Sequence, residues 1–142
     1  MRISAKAEYA CLAVLELALR SGQTEPVRAS DIAEANQIPL RFLIQILLQL
    51  KGAGLVSSVR GAAGGYRLVG EPSRISVWEV IQTIDGPTEP ATEGERHQGL
   101  GWKVLRKVWQ TVNFRERELL KDIRFDQLVK ESNQPQANMY YI

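Results

Sequence analysis

The sequence is poor in the side chains that most often carry chemistry: its 142 residues include one cysteine, Cys11, and one histidine, His97. A single thiol closes no internal disulfide. A Cys and a His this far apart assemble neither a nucleophilic triad nor a metal motif, and the loop acids Glu93 and Glu95 have no matching partner, so catalysis is not expected. A lone His in a polar loop is read as solvated. No run approaches the ~18 apolar residues of a membrane span. Met1-Arg2-Ile3-Ser4 lacks the apolar core and small-residue cleavage site of a signal peptide, and the expected location is the cytoplasm. Neither sign of charge dominates: 18 Lys and Arg against 16 Asp and Glu leave +2, which alone argues neither for nor against a polyanionic partner.

What is present is an ordinary globular composition, 44% hydrophobic and 24% charged, in a length that suits one domain with a real core. The charge is unevenly placed. From Ala35 to Gly70 there is no Asp or Glu, while Arg41, Lys51, Arg60 and Arg67 all fall in that window. Elsewhere acids and bases interleave, as in Arg115-Glu116-Arg117-Glu118, the pattern of a solvated helix face.

Ser4 is a plausible N-cap for a first helix reaching Arg20, with apolar residues at helical spacing through Tyr9, Leu12, Ala13 and Leu19 and with Glu16 and Arg20 four apart on the outside. Cys11 shares a stripe with Ala7, Leu15 and Ala18 and reads as a buried structural thiol, a redox switch being the alternative. Turn residues fill Ser21 to Pro26, and Ser30-Asp31 opens a short helix through Ile32 to Asn36. A second helix follows at once: Pro39 suits its first turn, Leu40, Leu43, Leu47 and Leu50 form a core stripe, and Gly52 and Gly54 end it. Opposite that stripe lie Arg41, Gln45 and Leu48, with Ile44 and Gln49 at its flanks. Two short helices in close succession, the second with a polar outward face, make a helix-turn-helix able to lay one helix in the DNA major groove.

Leu55 to Arg60 and Tyr66 to Val69 are β-prone runs joined by Gly61-Ala62-Ala63-Gly64-Gly65, a hairpin reading as the wing. Its Gly-rich turn, flanked by Arg60 and Arg67, lets backbone approach a phosphate or groove wall. Ser76 with Glu79 has capping-box spacing, Ile75 and Val80 are placed as a hydrophobic staple, and the helix stops at Gly86. Pro87 to Gly101 reads as a mobile loop. Trp102, Leu105, Val108, Trp109, Val112 and Leu119 then recur at helical spacing, giving a helix of roughly five turns to Lys121. Phe125, Leu128 and Val129 suggest a short closing helix, followed by a polar tail. The long helix needs a surface to cover, and a second copy of the chain is the economical candidate.

The run Leu50 to Gly61 followed by Gly64-Gly65-Tyr66 resembles the Rrf2 family of regulators, as do Met1 to Ser4 with Tyr9-Ala10, Asp31-Ile32-Ala33 and the helix from Ile75 to Asp85. The likeness covers roughly the first 86 residues closely. Beyond them it is looser, resting on Trp109 and Phe125 to Val129. It implies a mainly α winged helix-turn-helix with a small β-hairpin and a long C-terminal helix crossing onto a partner subunit. Residues 1–86 would form the DNA-binding domain, 87–101 the loop, and 102–142 the dimerisation helix, closing helix and tail. It also implies that Pro39 to Lys51 is the recognition helix, with Arg41, Phe42 and Gln45 near DNA, that Arg60 enters the minor groove, and that Gly61, Gly64 and Gly65 shape the wing. Phe42 reads equally well as a core aromatic, and Arg60 as a solvated charge.

Two departures from the family pattern matter. Sensing members hold an iron-sulfur cluster through three cysteines in the loop and the next helix; with Trp109 as anchor, the last cysteine position falls on Lys103 and the fourth-ligand position on Arg106. Two cations do not replace a thiolate and a soft ligand, so no cofactor or metal is expected. Ile44 and Leu48 stand where cluster-bearing members carry polar or acidic residues; they can meet thymine methyls or pack on another segment. In the wing, Ala62 and Ala63 replace the usual Pro and Gly. The expected function is a homodimeric, sequence-specific regulator of transcription on double-stranded DNA, acting as a repressor. A small-molecule or protein effector is compatible with this and no motif names it. The alternative is a winged-helix module that binds a partner protein through Ile44 and Leu48 and does not read DNA.

Overall fold

The computed structural model describes residues 2–87 and 99–134. Helices α1 (Ala5–Leu19), α2 (Ala29–Asn36) and α3 (Leu40–Gly52) are followed by strands β1 (Val56–Val59) and β2 (Gly65–Leu68). Helices α4 (Val77–Asp85), α5 (Leu100–Asp122) and α6 (Phe125–Ser132) complete the chain, in line with the expected mainly α winged helix. The loop expected at 87–101 falls almost wholly outside the described residues, and Glu93, Glu95 and His97 lie there, as does the tail beyond Gln134. Among the described residues no helix is long and apolar enough to cross a membrane.

Helix α1 is the hub, packed by α2, α3, α4 and α6. Ser4 caps it, its hydroxyl accepting from the Ala7 N–H at 3.0 Å. The Asp85 carboxylate at the end of α4 accepts from both the Ser4 N–H (3.2 Å) and the Ser4 hydroxyl, which ties the start of α1 to the end of α4. The buried face runs through Ala7, Ala10, Ala13, Val14, Leu17 and Ala18, whereas Leu12 and Leu19, expected in the core, are exposed. The reason is steric. A helix contacted on several sides needs small residues where its neighbours come closest, and Leu12 and Leu19 are left to the open side. Glu16 and Arg20 pair at 2.9 Å, as their i,i+4 spacing implies.

Helix α2 begins at Ala29, slightly ahead of the expected Ser30-Asp31, and ends on Gln37 in the left-handed region, φ 54°. That backbone turn, closed by Ile38 N–H donating to the Ala33 carbonyl at 2.9 Å, delivers the chain through buried Ile38 into α3. Leu43, Ile46, Leu47 and Leu50 fill the core from α3. Leu40 does not: it opens the helix at the surface directly after the turn, and Ile46 supplies the contact expected of it. In α4 the Ser76 hydroxyl accepts from the Glu79 N–H at 3.2 Å, and the staple residues Ile75 and Val80 are both buried.

The hairpin pairs Val56 with Leu68, Ser57 with Arg67, Ser58 with Tyr66 and Val59 with Gly65. Its second strand has a further partner on the other side: Val27 and Tyr66 exchange backbone hydrogen bonds of 2.9 and 2.7 Å. The glycines of the turn work differently from one another. Gly61 has φ 110° with open space around it, a conformation few side chains tolerate. A Cβ on Gly64 would collide with the Val59 carbonyl, and one on Gly65 with the Val27 carbonyl. At those two positions the missing side chain makes room for the protein's own backbone.

Helix α5 has no buried residue. Its end is nevertheless anchored, because Val77 N–H donates to the Ile123 carbonyl (2.9 Å) and Phe125 N–H to the Ile75 carbonyl (3.1 Å). Phe125 then enters the same core as Val14, Leu17 and Leu43, and α6 closes over it, the short final helix that Phe125, Leu128 and Val129 announce.

Cys11 is half-buried against this core. Burial, with a further contribution from the carboxylates of Asp85 and Glu8, pushes its thiol up from 9.0 to about 11. The neutral thiol is therefore what the fold holds at physiological pH, and a thiolate nucleophile is not available there. Iodoacetamide should alkylate Cys11 slowly at pH 8 in the native protein and rapidly after unfolding. Because the folded pKa lies above the unfolded one, stability contributed by the thiol is complete below about pH 9 and lost as pH rises towards 11. Equal alkylation rates in native and denatured protein at pH 8 would contradict this. Gly65→Ala forces a methyl into the Val27 carbonyl and should cost about 1–3 kcal/mol in a denaturant melt, whereas Gly22→Ala, with nothing near its Cβ position, should cost far less.

Candidate nucleic-acid interface

The inward leucines of α3 fix which way its other side faces. Arg41, Phe42, Ile44, Gln45, Leu48 and Gln49 are all exposed. Phe42 is 43% exposed, so it is not a core aromatic; the Arg41 guanidinium lies over its ring, 5.5 Å from the centroid. Ile44 and Leu48 are 38% and 59% exposed, one helical turn apart, with Gln45 beside them. An outward helix face with a cation, two amides and two aliphatic side chains, and no acid, can enter a groove of negative potential and present both hydrogen-bonding and apolar groups there.

Arg60 follows β1 at the start of the wing turn, exposed and without a hydrogen bond or ion pair among the described residues. The other cations of the acid-free window are differently used. Lys51, at the end of α3, donates from Nζ to the Ser58 hydroxyl at 2.7 Å, and Arg67 donates from its guanidinium to the Thr24 carbonyl. Both fasten the wing to its surroundings. A third brace comes from Arg28, at the start of α2, whose Nη2 donates to the Ala62 carbonyl in the wing turn at 2.6 Å. The structure thus brings Arg41, Phe42 and Gln45 onto one helix and Arg60 and Gly61 onto the neighbouring wing. Gly64 and Gly65 lie in the wing's support instead of at its free surface.

Sequence reading missed Val27 and Arg28 as parts of the wing. The only signal was a β-branched residue next to Pro26, too short to read as a strand. Nothing in the spacing of Arg28 and Ala62 could announce a contact between residues so far apart in the chain. Among the described residues no group of three or more His, Cys, Asp or Glu is disposed to hold a metal ion.

Comparison with known proteins agrees with this geometry. Residues 3–131 match the model of the Rrf2 family, described as iron-dependent transcriptional regulators. The chain is 37% identical over 134 residues, 93% of its length and 77% of the relative's, to the HTH-type transcriptional regulator IscR of Vibrio atlanticus. It is 32% identical, in an alignment of 143 positions that covers 100% of both chains, to the HTH-type transcriptional regulator CymR of Bacillus subtilis. Among solved structures it is similar to CymR, the global cysteine regulator of B. subtilis, with a TM-score of 0.81 at 30% identity, covering 92% of this chain and 98% of that one. It is also similar to T. potens IscR, with a TM-score of 0.78 at 33% identity over 99% and 97% of the two chains. The family match over most of the chain and these two regulators agree, and the chain belongs to the Rrf2 family of transcriptional regulators.

Proposed function

We propose that this protein is a cytoplasmic, homodimeric repressor that binds specific double-stranded DNA and works without an iron-sulfur cluster. The observation that carries the DNA reading is the acid-free surface formed by the outward face of α3 and Arg60 on the adjoining wing. Phosphates attract such a surface without regard to sequence, and base edges are then read by the helix. In this reading residues 1–86 bind DNA and residues 102–142 carry the contact between subunits.

The donor set does not fit a cluster, although the family is described as iron-dependent. The chain's one thiol, Cys11, is in α1 and packs against the core. Lys103 and Arg106, the residues at the positions the family resemblance assigns to ligands, are exposed cations in the first turns of α5. A cluster needs thiolates or comparably soft donors, and these positions offer none.

The dimer reading rests on α5. Val104, Leu105, Val108, Trp109 and Val112 recur on successive turns, and Trp109 is 54% exposed. A continuous apolar stripe of this length, rigidly presented by the anchored Ile123–Phe125 segment, matches a second copy of itself across a two-fold axis. Leu105→Glu with Val112→Glu should convert a dimer into a folded monomer by sedimentation. Wild-type protein sedimenting as a monomer at micromolar concentration would sink the dimer assignment.

Two-fold symmetry places the two recognition helices on half-sites about 34–36 Å apart. Gln45→Ala should relax sequence choice by about 1–3 kcal/mol. Arg60→Ala should weaken binding to natural and scrambled DNA alike and lower the salt slope by about one. Binding titrations across salt concentrations check both. Unchanged affinity of Arg60→Ala for the natural site removes the wing assignment, and wild type with no sequence preference replaces the regulator reading with that of a protein-binding module.

A further inference from the structure

We infer that α3 is built to read A·T base pairs, with Ile44 and Leu48 seating thymine methyl groups and Gln45 pairing with adenine; this rests on the DNA-binding reading above. In the major groove each base pair shows a distinct edge: cytosine offers an N4 donor, guanine two acceptors, adenine an acceptor beside a donor, and thymine an acceptor beside a methyl group. The outward face of α3 matches only part of this set. It has no Asp or Glu to accept from cytosine. Its two exposed cations stand at its ends, Arg41 in the first turn and placed over the Phe42 ring, and Lys51 in the last turn and engaged with Ser58. Guanine recognition is thereby confined to the edge of the helix.

The middle of the helix presents the complement of an A·T pair. Gln45 carries the amide that matches adenine N6 and N7. Leu48 lies three residues on from Gln45 and four from Ile44, so on the exposed face it neighbours both the amide and the second aliphatic group. Apolar side chains 38% and 59% exposed at the centre of a basic surface lose water when they enter a groove, and the methyl is the apolar feature that the major-groove edges offer. Surrounding charge selects the occupant: the segment from Ala35 to Gly70 contains no acid and exposes Arg41 and Arg60, which suits a polyanion, while Glu25 and Asp31 lie beside the wing turn and not on the outward face of α3.

The test begins with sites enriched by wild-type protein from random-sequence duplexes, after which each thymine is replaced singly by deoxyuridine, removing the methyl and leaving every hydrogen-bonding group in place. The enriched half-sites should have an A·T core. One or two deoxyuridine replacements per half-site should weaken wild-type binding by about fourfold each, the equivalent of one buried methyl. Leu48→Ala or Ile44→Ala, checked for unchanged melting, should bind the thymine and deoxyuridine forms of at least one such position equally. A G·C core, or wild-type indifference to every deoxyuridine replacement, overturns the thymine assignment while leaving DNA binding intact. Failure to enrich any sequence removes the DNA-binding reading itself, and this inference with it.

Discussion

Close approach of other elements to α1 is the constraint from which the architecture follows. Ala7, Ala10, Ala13 and Ala18 bring α2, α3, α4 and α6 near the helix axis, and the larger Val14 and Leu17 fill the space between. Any of those alanines enlarged would push a neighbour outward, and interiors packed to crystal-like density have little room to absorb the change. Because α3 is pressed onto this hub by Leu43, Ile46, Leu47 and Leu50, its opposite face has one orientation. The orientation of this outward face is a consequence of core packing before it is a matter of charge.

The wing depends on a second constraint, main-chain contact. A two-stranded hairpin is marginal alone. Here Val27 adds a backbone bridge to Tyr66, Gly65 lets that bridge form, and Arg28, Lys51 and Arg67 each hold a carbonyl or hydroxyl across a junction. Guanidinium groups commonly taken for DNA contacts are thus employed in holding the wing. Their charge remains on the surface, so they add to the attraction for phosphate while their hydrogen bonds serve the fold.

The parts legible in the sequence were those set by short-range rules. Ser4 and Ser76 cap their helices, Glu16 pairs with Arg20, Gly86 ends α4 and the Gly-rich turn joins two strands, each from chemistry within a few residues. The Rrf2 resemblance drew on the same local runs. What escaped depended on contacts between distant segments. Leu12 and Leu19 satisfy a helical period yet face outward, because periodicity cannot say how many neighbours press on a helix. Leu40 fits the stripe of α3 but precedes its contact with the hub. Phe42 was undecided between core and surface, and only the placement of α3 against α1 puts it outside.

The two exposed apolar faces, on α3 and on α5, differ in what surrounds their apolar groups. On α5 the groups Val104, Leu105, Val108, Trp109 and Val112 recur over successive turns, and along this stretch the stripe offers no polar side chain to define a register with nucleic acid. On α3, Ile44 and Leu48 share the exposed face with Gln45, Arg41 and Gln49. Burying that face against an apolar protein surface would strand two amides and a cation without partners, at a cost of about 1–3 kcal/mol for each unsatisfied group. Burying it in a major groove offers each a partner, since base edges present donors and acceptors together with thymine methyls. The composition of α5 therefore favours a like surface, and that of α3 favours one that is mixed and anionic.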